Sequence, residues 1–152
     1  MRAINHAITG AIIGVTIDQP LVAIPLAFVS HFALDAVPHE GGDGRKKPLP
    51  LNGRIFRGTL LADALACGLL VVYLALAGAS VLSMICAFVA TSPDLMWLGM
   101  FLKAQKGKSH AHPQYAFARF HAWIQWYQRP PGIIIEVMYF FLSMTVLVRS
   151  LH

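Results

Sequence analysis

The sequence predicts an all-α, polytopic membrane helix bundle, with about five apolar helices and one further amphipathic helix lying in the membrane interface. Hydrophobic residues make up 57% of the 152 positions and charged residues only 12%, against about 45–50% and ~25% in soluble domains. The mean hydropathy is +0.60. Apolar residues also run in solid blocks, whereas a membrane barrel alternates apolar and polar positions. Residues 1–152 are read as a single integral membrane domain.

The apolar segments fall at 3–17, 21–38, 56–78, 81–102 and 132–150, bounded by "DQP", "HEGGDGRKKPLPLNGR" and "RPPG". A bilayer needs about 20 apolar residues per helix. The last three segments meet that length. The first two are short and joined by a tight turn, so they either form a partly inserted hairpin or span with tilt and thinning. A signal peptide is the rival reading of the first, since Arg2 precedes it, but no A-x-A-like cleavage site comes before the next hydrophobic run. Residues 114–128, "QYAFARFHAWIQWYQ", mix aromatic and polar side chains at near-helical spacing. That pattern suits an interfacial helix with Trp123, Trp126 and Tyr127 at headgroup level.

Lys and Arg alternate between the connections. Arg2 precedes the first segment, residues 18–20 have none, five lie between Arg45 and Arg57, residues 78–81 have none, and five lie between Lys103 and Arg129. By the positive-inside rule the N-terminus and both basic stretches are cytoplasmic and the C-terminus is outside, despite Arg149 near that end. The net charge of +5 and pI near 9.6 form no patterned face for nucleic acid. Membrane lipids are the expected partners, and the sequence also admits an oligomer. Cys67 and Cys86 sit in apolar segments without a CxxC spacing, so they are read as inert small residues.

Four of the seven acidic residues, Asp35, Asp63, Asp94 and Glu136, fall inside apolar segments, where a charge costs at least ~2.5–3.5 kcal/mol at the bilayer centre. No Lys or Arg lies deep in a segment to neutralise them. Their partner must be a proton, a histidine or a bound cation. The topology places these acids, with His6 and His39, within about two turns of the inner ends of their helices, in one leaflet, and the interfacial helix adds His121 at similar depth.

Helical faces agree with convergence. His6, Gly10 and Gly14 form a small-residue ridge that turns His6 into the bundle; Thr59, Asp63 and Cys67 share a face, as do Ala87, Ala90, Thr91 and Asp94. His31, Asp35 and His39 drift by about 40° per step of four, still one broad face, and Pro38 loosens the last turn enough to swing His39 inward.

Imidazoles and carboxylates together suit a divalent metal, zinc above all. The candidate ligands are His6, His31, Asp35, His39, Asp63, Asp94 and His121, more than one tetrahedral ion requires, so either two ions bind or some members orient ligands. Glu136 or Asp94 is the candidate catalytic base, taking a proton from water activated by the metal. Each residue also has a plainer reading: His6 as an interfacial hydrogen-bonding residue, Pro93 as a kink, Glu136 as a snorkelling group or the partner of a helix N-terminus, and His110 and His112 as solvated loop residues outside the site.

These stretches resemble a group of small bacterial inner-membrane proteins described as membrane-bound metal-dependent hydrolases. The matching elements are "NHAITGAIIG", the Ser-His-x3-Asp-x2-Pro run in "AFVSHFALDAVPH", and "SPD" at 92–94, similar to that family's Leu-Pro-Asp. The likeness covers about half the chain as short motifs, of which Ser-His-x3-Asp is the most specific. It implies metal-ligand roles for His6, His31, Asp35 and Asp94. Two departures bear on catalysis more than on fold: no second Asp and His follow "SPD", and the family's His-Arg-Gly-x-Thr-His-Ser element is reduced to "SHAHPQ". His-x3-Asp on a helix is also similar to zinc-dependent phospholipase C.

Three functions fit these residues. The first is a membrane-embedded metal-dependent hydrolase acting on a lipid or lipid-linked (phospho)ester at the cytoplasmic leaflet, where basic loops gather anionic headgroups. The second is a non-enzymatic protein whose His/Asp centre binds or conducts a metal ion or protons. The third is an assembly subunit whose polar residues lock helices together.

Overall fold

The computed structural model describes residues 1–40, 54–105 and 115–152, and every described regular element is helical. In chain order these are α1 (Ala3–Thr16), α2 (Pro20–Asp35), α3 (Arg54–Leu76), α4 (Val81–Thr91), a 3-10 turn (Ser92–Asp94), α5 (Leu95–Gln105), α6 (Ala116–Ile124) and α7 (Gly132–Leu151). The basic run at Arg45–Lys47, His110 and His112 lie outside the described residues.

Local chemistry sets the boundaries. Pro20, with its fixed φ and missing N–H, sits in the first turn of α2. Pro38, three residues past Asp35, keeps the chain from continuing as helix. α3 closes in a Schellman motif: Gly78 takes φ +69°, its N–H reaches Ala75 O at 3.2 Å, and Ala79 N–H reaches Leu74 O at 2.9 Å. Ser80 then caps α4, its hydroxyl accepting from Ser83 N–H at 3.2 Å. The tight α3–α4 connection follows from these two caps in succession.

Of the five expected apolar helices, two have the length of a membrane crossing. Among the described residues two helical stretches are long and apolar enough to cross a membrane, Arg57–Leu76 and Gly132–Leu151; the stretches Ala3–Thr16, Pro20–Asp35 and Val81–Asp94 are shorter. The segment 81–102 is not continuous, because Pro93 removes a backbone donor and the chain tightens to 3-10 geometry before α5 begins. The interfacial segment 114–128 contracts to α6, followed by a non-helical turn at Gln125.

α1 is the central helix, packed on α2, α3, α4 and α7, and most extensively on α4. Asn5, His6, Ala7, Ile8, Gly10, Ala11 and Gly14 are all buried. One apolar cluster joins Ala7, Ile8 and Ala11 to Leu70 and Leu74 of α3, Ala87 of α4 and Leu147 of α7. A second joins Ala23 and Ala27 of α2 to Cys86 and Ala90 of α4. The small-residue ridge works as the spacing implies: a Cβ on Gly10 would lie 2.2 Å from Cys86 O, and one on Gly14 2.5 Å from Ser83 Cα. Backbones in contact leave no room for a side chain.

The outer helices have the opposite character. Leu61, Leu65, Leu69 and Leu76 of α3 and Ile134, Met138, Phe141 and Leu142 of α7 are exposed apolar side chains, a surface of the kind that meets lipid or a partner.

The packing yields a direct test. Gly10→Ala forces the α1 and α4 backbones apart and costs about 1–3 kcal/mol, read as a lowered Tm in detergent micelles. Gly58→Ala, on α3 with nothing within 4 Å of the added carbon, leaves Tm unchanged or raised, because alanine is the better helix former.

Candidate metal centre

The centre is built around the last turn of α2. His31 and Asp35 are one helical step of four apart, so both point from α2 into the bundle, and both are fully buried. α6 brings His121, its buried face being set by Ala118 and His121 while Phe117, Phe120 and Trp123 stay exposed. The 3-10 turn brings Asp94, the least buried member. Ligand atoms of His31, Asp35, Asp94 and His121 all lie within 4.8 Å of one another, and the group could hold a metal ion.

His121 Nε2 lies 2.7 Å from Asp35 Oδ2 and His31 Nε2 3.3 Å from the same oxygen. The two Nε2 atoms are 2.9 Å apart. Each is 3.8 Å from Asp94 Oδ1. A tetrahedral ion with bonds of ~2.1 Å separates its ligands by about 3.4 Å, and the separations that involve the two imidazoles, 2.7–3.8 Å, bracket that edge.

The outer contacts fit as well. His31 Nδ1 lies 2.8 Å from Ala90 O of α4. A carbonyl only accepts, so Nδ1 carries the proton and a neutral ring presents its lone pair from Nε2, the arrangement typical of a metal-ligating histidine. Two Nε2 atoms at 2.9 Å cannot both present lone pairs without a proton or a cation between them. The donor set of two imidazoles and two carboxylates is one that zinc and similar ions accept.

The remaining predicted residues are placed as follows. His6 is fully buried and stacks on His31 with ring centroids 4.0 Å apart. Its Nε2 is 3.3 Å from Asp35 Oδ1, and neither ring nitrogen makes a hydrogen bond among the described residues. The Met1 amino group contacts the same Oδ1 at 2.5 Å. His6 therefore adjoins the four-residue group through Asp35.

His39 does not join it. The chain leaves the helix after Asp35, so His39, past Pro38, lies off the α2 stripe; it is fully buried, but apart from the four donors. Its Nδ1–H donates to Val37 O at 2.7 Å, burial holds its imidazole below the ordinary value, and its carbonyl accepts from Arg129 N–H at 3.0 Å.

Asp63 and Glu136 stand at the start of α1. That helix has no side-chain cap of its own. Asp63 Oδ2 accepts from Ala3 N–H at 3.3 Å, and Glu136 Oε1 accepts from Arg2 N–H at 3.1 Å. The Arg2 guanidinium lies 3.5 Å from Glu136 Oε2 and also pairs with Glu40. Two carboxylates from α3 and α7 thus satisfy orphan donors at the positive end of the α1 dipole. The plainer reading of Glu136, as partner of a helix N-terminus, matches this geometry.

One participant has no place in the sequence reading. Gln125 donates from Nε2 to Asp35 Oδ2 at 3.0 Å. It lies four residues after His121, and that spacing within "HAWIQ" was the available signal.

Removing charge separates the two groups of acids. In metal-free protein Asp35→Ala leaves the buried imidazoles and the Met1 amino group without their anion and costs about 3–5 kcal/mol, measured by thermal unfolding. Asp63→Ala removes a cap and costs ~1 kcal/mol, while leaving the metal content of the protein unchanged by elemental analysis.

No family model, curated protein or solved structure matches the chain.

Proposed function

We propose that the protein is a membrane-embedded, metal-dependent hydrolase, with zinc at the His31–Asp35–Asp94–His121 centre and a lipid or lipid-linked phosphoester as its substrate. The observation that carries the reading is the tight set of four donors held inside an apolar helical body, with His31 oriented by the Ala90 carbonyl. His31, Asp35, Asp94 and His121 would hold the zinc, which would supply Lewis acidity toward a phosphoryl oxygen and water.

The chain's own residues divide the remaining work. His31, His121 and Asp35 are wholly buried and fix position. Asp94, at 3.8 Å from both imidazoles and partly open to solvent, is the donor free to change its role and receive a proton from water. Glu136, held by Arg2, belongs to the scaffold in this reading.

The membrane reading adds a location. α3 and α7 span the bilayer, the shorter apolar helices α1, α2 and α4 complete a polytopic bundle, and the N-terminus faces the cytoplasm of an inner membrane. Exposed Phe117, Phe120, Trp123, Trp126 and Tyr127 on and after α6 support a seat at the headgroup level beside the centre. Phosphoesters carried on lipids are presented at that depth, and this favours them over soluble ones.

The test is elemental analysis of protein purified in detergent, followed by hydrolysis of lipid phosphomonoesters and phosphodiesters in nanodiscs. Near-stoichiometric zinc is expected, with turnover removed by a chelator and restored by zinc, and reduced at least about 100-fold in His31→Ala and Asp35→Ala. Absence of stoichiometric divalent metal sinks the reading. Bound metal without turnover of either class of lipid transfers the centre to a cation-binding role.

A further inference from the structure

Gln125 is a neutral residue at the most crowded oxygen of the centre. Asp35 Oδ2 already faces His121 Nε2 at 2.7 Å and His31 Nε2 at 3.3 Å, and Gln125 Nε2 reaches it at 3.0 Å. The other oxygen, Oδ1, has separate neighbours, the Met1 amino group and His6 Nε2. Each carboxylate oxygen is therefore engaged in its own direction.

The orientation of the Gln125 amide is set by a second glutamine. Gln128 Nε2 donates to Gln125 Oε1 at 3.0 Å. With Oε1 acting as acceptor there, the NH2 end must face Asp35; the reversed amide would set two acceptors against each other. Gln128 is itself held, since its backbone bridges to that of His39 and the next residue, Arg129, donates to His39 O. Trp126 Nε1 donates to Ala36 O at 3.2 Å. The turn after α6 is thus fastened to the segment after α2, and the amide has little freedom to rotate.

Resting on the metal reading above, we infer that Gln125 is a positioning residue that makes Asp35 a one-oxygen ligand through Oδ2. The amide N–H occupies one lone-pair direction of that oxygen, leaving another for a metal bond. Engagement of Oδ1 elsewhere removes the two-oxygen mode. One-oxygen carboxylates suit a four-coordinate ion of zinc type, whereas calcium takes 6–8 oxygens and commonly uses carboxylates in pairs of oxygens. The amide brings no charge, so it steers the ligand without adding to the buried anions.

The experiment uses full-length protein in detergent, with zinc affinity measured by competition against a chromophoric chelator and the geometry read from the d–d absorption of bound cobalt(II). Gln125→Ala weakens zinc by about 10–100-fold and changes the cobalt spectrum toward higher coordination. Gln128→Ala, which frees the amide to reverse, weakens zinc less. The double variant is no weaker than Gln125→Ala, because both act through one amide.

Wild-type affinity and spectrum in Gln125→Ala overturn the inference, even if Tm falls, since a merely structural residue would move Tm alone. Should Gln125→Ala fail to fold, Gln128→Ala decides: unchanged zinc affinity there overturns it equally. Wild-type protein that takes up no zinc overturns the metal centre itself, an outcome distinct from a wild type that binds and a Gln125→Ala that binds as well.

Discussion

The carboxylate of Asp35 sits fully buried at the end of an apolar helix, and the cost of leaving an anion there without partners exceeds that of almost any packing defect. Much of the architecture answers that constraint. α1 and the residues before it contribute His6 and the Met1 amino group to one oxygen, and α2, α6 and the turn after α6 contribute His31, His121 and Gln125 to the other. Among the described residues no Lys or Arg side chain takes part in these contacts. Positive character comes instead from groups that can exchange a proton for a cation, and this separates a centre suited to binding from a structural ion pair.

α1 can reach Asp35 because its own ends are cared for by its neighbours. Its first N–H groups are met by carboxylates from α3 and α7, and Gly10 and Gly14 let it lie against α4 at backbone contact. α4 in turn offers the Ala90 carbonyl that fixes His31. The close approach and the tautomer are linked, since a wider α1–α4 spacing would disturb the helix that carries this acceptor. Gly132 plays a comparable part at the other side, where a Cβ would meet the His39 backbone at 2.2 Å.

The sequence carried the helical character, the small-residue ridge and the four donors, and it did so for identifiable reasons. His31 and Asp35 are readable because a step of four fixes a shared face, and His121 because the aromatic segment 114–128 reads as an interfacial helix at the depth of the other candidates. Asp63 and Glu136 were legible as acids in apolar runs, but besides the Arg2 guanidinium beside Glu136 they meet backbone N–H groups, which every residue but proline possesses and no sequence spacing marks. The same holds for Ala90 O. Pro93 was legible as an interruption, although the residue alone does not say that the chain continues through a 3-10 turn into α5. His39 shared a stripe with His31 and Asp35 only while the helix was taken to continue past Asp35. Gln125, an uncharged residue in an aromatic segment, becomes visible only once α6 is folded against α2.

The donors are far apart along the chain. His31 and His121 are separated by 90 residues and Arg2 meets Glu136 across 134. During synthesis, His31 and Asp35 emerge long before Asp94 and His121, so a growing chain offers an ion only half of its eventual ligands. The N-terminal helix likewise waits for the C-terminal one to satisfy its first amides. A centre wired across such distances closes only after α6 has been made, and a product that stops before His121 cannot imitate it.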